Sequence, residues 1–322
     1  MSGIGVVIVT WNSAEHIERC LESCSRLGVT VVDNASTDDT VERVRRYTDV
    51  LLIENAENRG FAVAANQGIA RCASEFILIL NPDVELNGSI EPLREACVQG
   101  AVIATGRLLD ASGATQVGFT VRRLPRPVTL AFEVLGLNRL FPRNSVNRRY
   151  RCLDLALDAP ANIEQPPGAF LFFRRDLWRD LGGFDESFFP VWFEDVDFCK
   201  RALQRGGIRI VPSVTAVHRG GASIAHMDWT SRQIHWYVSL LRYACKHFSP
   251  WGFRGVCGAV VLGSVVRAAP AAFRRRTLKT VAAYARTAAL AARALVTGRV
   301  TAPSRIGHPQ GSRVRTITNT TE

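Results

Sequence analysis

Short apolar runs alternate with segments of helical spacing through the first third of the chain. Ile4–Thr10 is apolar and largely β-branched, 14–27 carries apolar residues at helical spacing, and 29–32 is again apolar and runs into Asp33-Asn34-Ala35-Ser36. The same pattern predicts a helix over 40–47, a strand over 50–54, a helix over 60–73 and a strand over 76–80 that ends at Asn81-Pro82-Asp83. Strands that are apolar throughout and separated by helices imply an α/β fold with a mostly parallel, Rossmann-like sheet flanked by helices. In such sheets ligands bind at the carboxyl ends of strands, where both polar clusters fall.

From about 107 to 162 the periodicity dissolves into a segment rich in Arg, Pro and Asn, including Arg122-Arg123, Arg126 and Arg148-Arg149. It predicts a mobile, loop-rich basic insert, suited to a lid over phosphates or an acceptor-facing loop, or simply solvated. Structure returns with a strand over 168–173, a helical segment over 176–181, the aromatic and acidic stretch 184–198, and a helix that Gly206-Gly207 stops. Two short strands, 208–211 and 214–217, lead to His218. The organisation expected is a catalytic domain over 1–228 containing the insert, a helical region over 229–300 and a disordered polar tail over 301–322. The apolar run 255–266 falls short of a membrane span and is followed by Arg267 and Pro270, so it predicts a buried or interfacial helix.

With 322 residues, 47% hydrophobic, the chain can bury a sizeable core. Its 40 Lys+Arg against 29 Asp+Glu give +11 at neutral pH, which favours an anionic partner. The basic residues are not interleaved with a stacking platform or set on a nucleic-acid motif, which excludes nucleic acid as that partner. Eight cysteines lie scattered without a CxxC pair or zinc spacing, and the N-terminus has no signal-peptide pattern, so reduced thiols and a cytoplasmic location are expected.

Four places bear groups suited to chemistry. Asp33 emerges with Asn34, Ser36, Thr37 and Asp38 at a strand end, where a carboxylate can accept a hydrogen bond from a pyrimidine ring N–H; the same residue types also form turns and cap helices. Asn81-Pro82-Asp83 sets hard oxygen donors where a divalent cation could bridge to a diphosphate, or forms a plain turn. Glu194-Asp195-Val196-Asp197 gathers carboxylates beside Phe188, Phe189, Trp192 and Phe193. Such acids complement a helix dipole, or hold a general base near an acceptor hydroxyl, shielded from water. At helical spacing Asp195 and Asp197 lie about 200° apart, so they should not both face one substrate atom. His218, before Arg219-Gly220-Gly221, reads as structural unless a second metal ligand joins it.

The segments together say more than any one of them. Val7-Ile8-Val9-Thr10-Trp11-Asn12, Val32-Asp33-Asn34-Ala35-Ser36-Thr37-Asp38, Asn58-Arg59-Gly60-Phe61 with Asn66 and Gly68, Leu80-Asn81-Pro82-Asp83, Gly168-Ala169-Phe170, Gly183-Phe184-Asp185-Glu186, Glu194-Asp195-Val196-Asp197 and His218 follow in order. Over about residues 4–225 the chain resembles the rhamnosyltransferase-like branch of inverting glycosyltransferase family 2, which has a nucleotide-binding GT-A fold. The resemblance implies a nucleotide-sugar pocket drawn from Thr10, Asn12, Asp33, Asn34, Ser36, Asn58, Arg59, Gly60, Phe61, Asn66 and Asn81, with Asp33 on the base. It implies a divalent metal, Mg²⁺ or Mn²⁺, on Asp83 with His218, Asp195 as catalytic base, and Trp192 and Glu194 on the acceptor side. Asn81 stands where many relatives carry the first Asp of a DxD motif.

The donor implied is dTDP-rhamnose, with a UDP-hexose as alternative. The acceptor implied is a polyprenyl-diphosphate-linked saccharide of bacterial cell-wall or polysaccharide assembly, met at the cytoplasmic face of the membrane. Trp251, the apolar run to Val266, Arg267 and Arg274-Arg275-Arg276 fit an interfacial helix pair with basic anchors, or a soluble helical appendage. A sugar-nucleotide-binding scaffold without turnover is the reading from another class, and the joint presence of Asp33, Asp83, Asp195 and His218 argues against it.

Overall fold

A computed structural model describes residues 3–220, 227–275, 278–300 and 315–316. The expected tail, 301–322, therefore lies outside the described residues apart from a two-residue edge strand at Arg315–Thr316, and Arg276 of the basic anchor lies outside them as well.

The first half folds as its apolar runs demand. Strands β1 (Ile4–Thr10), β2 (Gly28–Asp33), β3 (Leu51–Glu54) and β4 (Phe76–Leu80) alternate with α1 (Ile17–Ser23), α2 (Thr40–Val44) and α3 (Phe61–Arg71). They lie parallel in the order β3-β2-β1-β4. Both faces are buried: Val6, Ile8, Phe76 and Leu78 pack into one apolar layer, and Val7, Val9, Ile77 and Ile79 into the other. Alternate side chains of one strand thus serve separate cores, which is why these strands are apolar throughout.

Beyond β4 the sheet is mixed, against the expectation of a mostly parallel one. After β5 (Val84–Leu86) and α4 (Glu91–Val98), β6 (Ile103–Leu109) and the short β7 (Ala161–Ile163), β8 (Phe170–Arg174) runs antiparallel to both β4 and β6. After α8 (Arg175–Asp180) and α9 (Glu194–Ala202), β9 (Ile208–His218) lies parallel to β6 and antiparallel to β5 and β7. The two short strands expected over 208–217 are one strand. Its ladder with β6 shifts register between Thr105 and Arg107, and this bulge accommodates Pro212. Gly106 makes the bulge possible, because a Cβ there would lie 2.4 Å from the Val214 carbonyl oxygen.

The segment 107–162 is folded, where the loss of periodicity suggested irregular chain. It holds α5 (Pro127–Leu135), α6 (Leu137–Leu140) and α7 (Ser145–Tyr150). Proline in the first turn of α5 and left-handed Gly136 (φ 79°) at its end supply the start and stop signals, and Asn144 caps α7 by accepting from the Asn147 N–H at 2.9 Å. These helices are too short for a hydrophobic period to stand out.

The C-terminal region is a helical unit of α10 (Trp229–His247), α11 (Pro250–Arg275) and α12 (Leu278–Thr297). It shares a third apolar core with the insert and with α9: Leu130, Val134, Phe193, Val196, Tyr237, Tyr243, Val256 and Val260 are all buried there.

One carboxylate ties these parts together. Asp197 on α9 is completely buried. It accepts from Arg201 Nε at 2.8 Å, and on α10 it meets His247 Nε2 at 2.7 Å and Lys246 Nζ at 2.7 Å. Arg201 also donates to the carbonyls of Leu181 and Gly183, and Lys246 reaches Asp185 at 2.6 Å. Burial alone would raise the Asp197 pKa, but the bonds from His247 and Lys246 and the Arg201 charge hold it down to about 2. A folded-state pKa below that of the unfolded chain contributes stability at higher pH, about 2 kcal/mol here, and the contribution is lost as pH falls from about 4 through about 2. Asp197→Asn should destabilise the fold by about 3 kcal/mol, because the largely buried Arg201 guanidinium loses its charge partner. Denaturant melts at pH 7 and pH 3 check this: the gap between wild type and variant should shrink at the lower pH.

Candidate active site

The carboxyl ends of β1, β2 and β4 open onto a cavity of about 390 Å³. Its floor is Thr10, Trp11, Asn34, Asn81 and Ala169, and one side is Asn58, Phe61, Pro190 and Trp192. The opposite side comes from the insert and the helical unit through Arg122, Leu130, Glu133, Tyr150, Arg151 and Trp236.

Asp33 lies beneath this floor, buried. It accepts from Thr10 Oγ1 at 3.0 Å, from the Ser36 N–H at 2.9 Å and from the Ser36 hydroxyl. Burial raises its pKa against the pull of the Ser36 and Thr10 bonds. The carboxylate thereby shapes the turn after β2, in which Ala35 takes a left-handed φ of 61°; Asn12, in the facing turn after β1, is left-handed too, at φ 50°. Asn12 braces the turn from the other side, its N–H on Ser36 Oγ at 2.8 Å and its Oδ1 accepting from the Thr37 N–H at 2.7 Å. Asn34 is pinned between the Gly60 carbonyl and Asn55, at 3.2 and 2.9 Å.

Gly60 holds the neighbouring wall. At φ 84° it favours glycine, and a Cβ there would meet Phe189 Cδ2 at 2.9 Å and the Pro190 carbonyl oxygen at 3.0 Å. Asn58 Oδ1 accepts from the Gly60 N–H at 2.9 Å, and Arg59 beside it is half-buried. Asn66 stands apart from the cleft. Its oxygen accepts from Trp178 Nε1 and the Phe184 N–H, both at 2.9 Å, and its amide donates to the Phe184 carbonyl and Glu186. Every polar group of Asn66 is thus engaged in holding the 183–186 turn, leaving none for a nucleotide.

Asp83 and His218 meet across the β5–β9 ladder, with His218 Nε2 3.6 Å from Asp83 Oδ2 and both side chains buried. Asp83 Oδ1 has no hydrogen-bond partner. Gln116, from the insert, donates through Nε2 to the His218 carbonyl at 2.8 Å, which turns its Oε1 toward His218 Nδ1 at 3.0 Å. Phe119 stacks on the imidazole at 4.8 Å. Burial lowers the His218 pKa more than the Asp83 charge raises it, so the ring is neutral. With its proton on Nδ1, the Nε2 lone pair faces Asp83. A lone pair opposite Asp83 Oδ2, with the carboxylate's other oxygen, Oδ1, left without a partner, suits a hard divalent cation. Among the described residues no group of three or more His, Cys, Asp or Glu could enclose a metal, so phosphate oxygens and water would complete its shell.

The acidic stretch sits across the cleft. Trp192 and Phe193, at φ 80° and 69°, turn the chain sharply into α9, a strained entry of about 1–3 kcal/mol per residue that projects Glu194 and Asp195 into the cavity. Asp195 accepts from the Gly168 N–H at Oδ2 and the Val196 N–H at Oδ1, both at 2.8 Å. Gly168 allows this approach, since a Cβ there would come within 3.0 Å of the Asp195 Cβ. Burial raises the Asp195 pKa, opposed by these two N–H groups and the Arg122 charge. Burial first, and the Asp195 charge next, push the Glu194 carboxyl well up. Glu194 Oε2 and Gln165 Oε1, both buried in residues that line the cleft, have no hydrogen-bond partner. Asp197 points away from the cleft into its ion-pair network, as the 200° separation requires.

Of the residues expected at the site, the cleft brings together Thr10, Asn34, Asn58, Phe61, Asn81, Trp192, Glu194 and Asp195. Asn12, Asp33, Ser36, Arg59 and Gly60 form the layer behind it, and Asp83 and His218 lie beside Asn81 at the β5–β9 edge. Gln116, Phe119, Tyr150, Gln165 and Trp236 carry no signal in the sequence, and Arg122 stands out there only as part of the basic insert.

A family model described as "Glycosyl transferase family 2" matches residues 5–178. An N-acetylglucosaminyl-diphospho-decaprenol L-rhamnosyltransferase of Mycobacterium tuberculosis (strain H37Rv) is 29% identical over 302 residues, covering 86% of this chain and 97% of that protein. A pre-mycofactocin glycosyltransferase of the same strain is 28% identical over 257 residues, covering 76% of this chain and 48% of that one. The solved structure of GalNAc-T7 with UDP, GalNAc and Mn²⁺ is alike in fold, with a TM-score of 0.52 at 13% identity over 76% of this chain and 50% of that one.

Removing the amide that fixes the imidazole tautomer should loosen a cation on this pair without unfolding the chain. Gln116→Leu is expected to weaken Mn²⁺ binding about 10- to 100-fold by calorimetry in the presence of UDP, with an unchanged melting profile.

Proposed function

This chain belongs to glycosyl transferase family 2, and on that premise we propose that it transfers rhamnose from dTDP-rhamnose to a hydroxyl of a polyprenyl-diphosphate-linked saccharide, inverting the anomeric centre. The observation that carries the reading is the juxtaposition, in one cleft, of a half-buried carboxylate at Asp195 with the nucleotide-side groups at the ends of β1, β2 and β4. The rhamnosyltransferase relative, matched over nearly its whole length, supports both the donor sugar and the lipid-linked acceptor. A lipid-linked acceptor supports work at the cytoplasmic face of the membrane, with the chain held there peripherally. Among the described residues no helix is long and apolar enough to cross a bilayer.

Asp195 removes the acceptor proton as the hydroxyl attacks the anomeric carbon from the face opposite the nucleotide. The N–H groups of Gly168 and Val196 fix its carboxylate, and its raised pKa makes it a better base than a free aspartate. Glu194 and Gln165 accept hydrogen bonds from sugar hydroxyls, and Trp192 and Trp236 offer flat apolar faces to pyranose rings. Asn34, Asn58 and Phe61 shape the nucleotide side, and Arg122 and Arg151 face it with positive charge. Asp83 and His218 would hold a divalent cation, which when bound neutralises charge on the departing diphosphate.

Calorimetric titration with dTDP-rhamnose, UDP-glucose, UDP-galactose and GDP-mannose, with and without Mn²⁺, tests the donor. We expect metal-dependent binding of dTDP-rhamnose, abolished in Asp83→Ala; tighter binding of a UDP-hexose would replace the donor, and no binding at all would favour a silent scaffold. Asp195→Asn should lower kcat by at least about 10³-fold with donor affinity kept, whereas Glu194→Gln should retain most of the rate. Because the base must be ionised and its pKa is raised, the acid limb of kcat/KM should lie above the ordinary aspartate range.

A further inference from the structure

Residues 229–300 contain no aspartate or glutamate, although Lys and Arg recur throughout them. All the carboxylates that meet this unit, among them Asp185 and Asp197, come from the catalytic domain. A helical surface without a single acid has no means of pairing its own cations.

Its outer face is also apolar. On α11, Trp251, Leu262, Val265 and Val266 are 79%, 56%, 63% and 59% exposed. At 100° per residue they fall with Arg254 within an arc of about 120°, while Phe253, Val256, Cys257 and Val260 on the other side are buried. Helix α12 repeats the arrangement. Val281 and Val296 are 36% and 81% exposed, with exposed Ala285, Ala289 and Ala292 between them. Exposed Lys279, Arg286 and Arg293 run along one border of that strip. Helix α10 packs against both α11 and α12, so their uncovered faces look away from it. Arg254 lies 5.6 Å over the Trp251 ring, joining the exposed indole to a cation. At the far end Gly263 of α11 meets the Val134 carbonyl and Arg267 donates to the Glu133 carbonyl at 2.7 Å, which brings exposed Leu140 and Phe141 of the insert to the Val265 end.

We propose that the outer face of α11 and α12 is a seat for an anionic phospholipid bilayer, with the valines, Leu262 and Trp251 set among the acyl chains at the interface and the bordering cations on lipid phosphates. An apolar strip edged by Arg and Lys, where among the described residues no helix is long and apolar enough to cross a membrane, is the composition of an interfacial helix. A second copy of the chain fits worse, because two acid-free faces would oppose like charges. The seat deepens the lipid-linked acceptor reading and rests on it for its purpose: α10 and α5, which lie against the seated helices, contribute Trp236, Leu130 and Glu133 to the cleft, so docking presents that wall to an acceptor embedded in the same bilayer.

Sedimentation of the full chain with vesicles tests this. The chain should pellet with phosphatidylglycerol–phosphatidylethanolamine vesicles and stay in solution with phosphatidylcholine. Arg286→Ala with Arg293→Ala should weaken binding about 30-fold, near fivefold per cation, and Val265→Glu with Val266→Glu should weaken it at least tenfold. Pelleting that ignores lipid charge or these substitutions would overturn the seat, as would gel filtration showing a dimer that Val265→Glu with Val266→Glu splits into monomers. Calorimetric binding of dTDP-rhamnose, expected unchanged in these variants, keeps the two readings separable: lost donor binding in a wild-type chain that still pellets would sink the proposed function and leave the seat standing.

Discussion

The buried Asp197 carboxylate is the constraint on which the rest of the molecule depends. A charge taken out of water must be matched nearby, and Asp197 is matched by Arg201 on its own helix and by Lys246 and His247 on α10. This fixes the rotation of α9, and with it the direction of Asp195 two residues earlier, about 200° around the helix and therefore toward the cleft. The same bonds fasten the C-terminal helical unit to the α/β half. One ion-pair network thus sets the aim of the Asp195 carboxylate and the position of the wall that faces it.

The cleft is assembled from unlike parts. Its floor comes from the carboxyl ends of parallel strands, where turns such as Asn12 and Ala35 depart from ordinary backbone geometry. Its far wall comes from the insert, whose helices are stabilised by packing on α11 more than by intrinsic propensity. The insert also reaches back with Gln116 and Phe119 to hold His218, so one segment serves both the Asp83–His218 pair and the far wall of the cleft. The partnerless oxygens of Glu194 and Gln165 on the cleft wall, and of Asp83 beside it, leave hydrogen bonding incomplete around the cleft.

The parts legible in the sequence were those with a local signature. Strands β1 to β4 read as apolar runs because both sheet faces are covered, and Asp33, Asp83 and Asp195 stood out because polar groups cluster at strand and helix ends. The divergence of Asp195 and Asp197 followed from helical spacing alone. What stayed hidden depends on contacts between distant segments. Gln165 is unremarkable until β8 brings Gly168 against Asp195, and Gln116 means nothing until β9 delivers His218 beside it. Asn66 sits within a block that suggests the nucleotide pocket, yet the 183–186 turn engages all its polar groups. The antiparallel placement of β8 was likewise invisible, since an apolar strand carries no record of its direction.

In the proposed reaction Asp195 serves as base and never as nucleophile, so the sugar is transferred in a single displacement. NMR of the product formed from dTDP-rhamnose, read at its anomeric centre, should therefore show a configuration opposite to that of the donor. Retention would contradict a single displacement and would require a covalent intermediate or attack from the donor side.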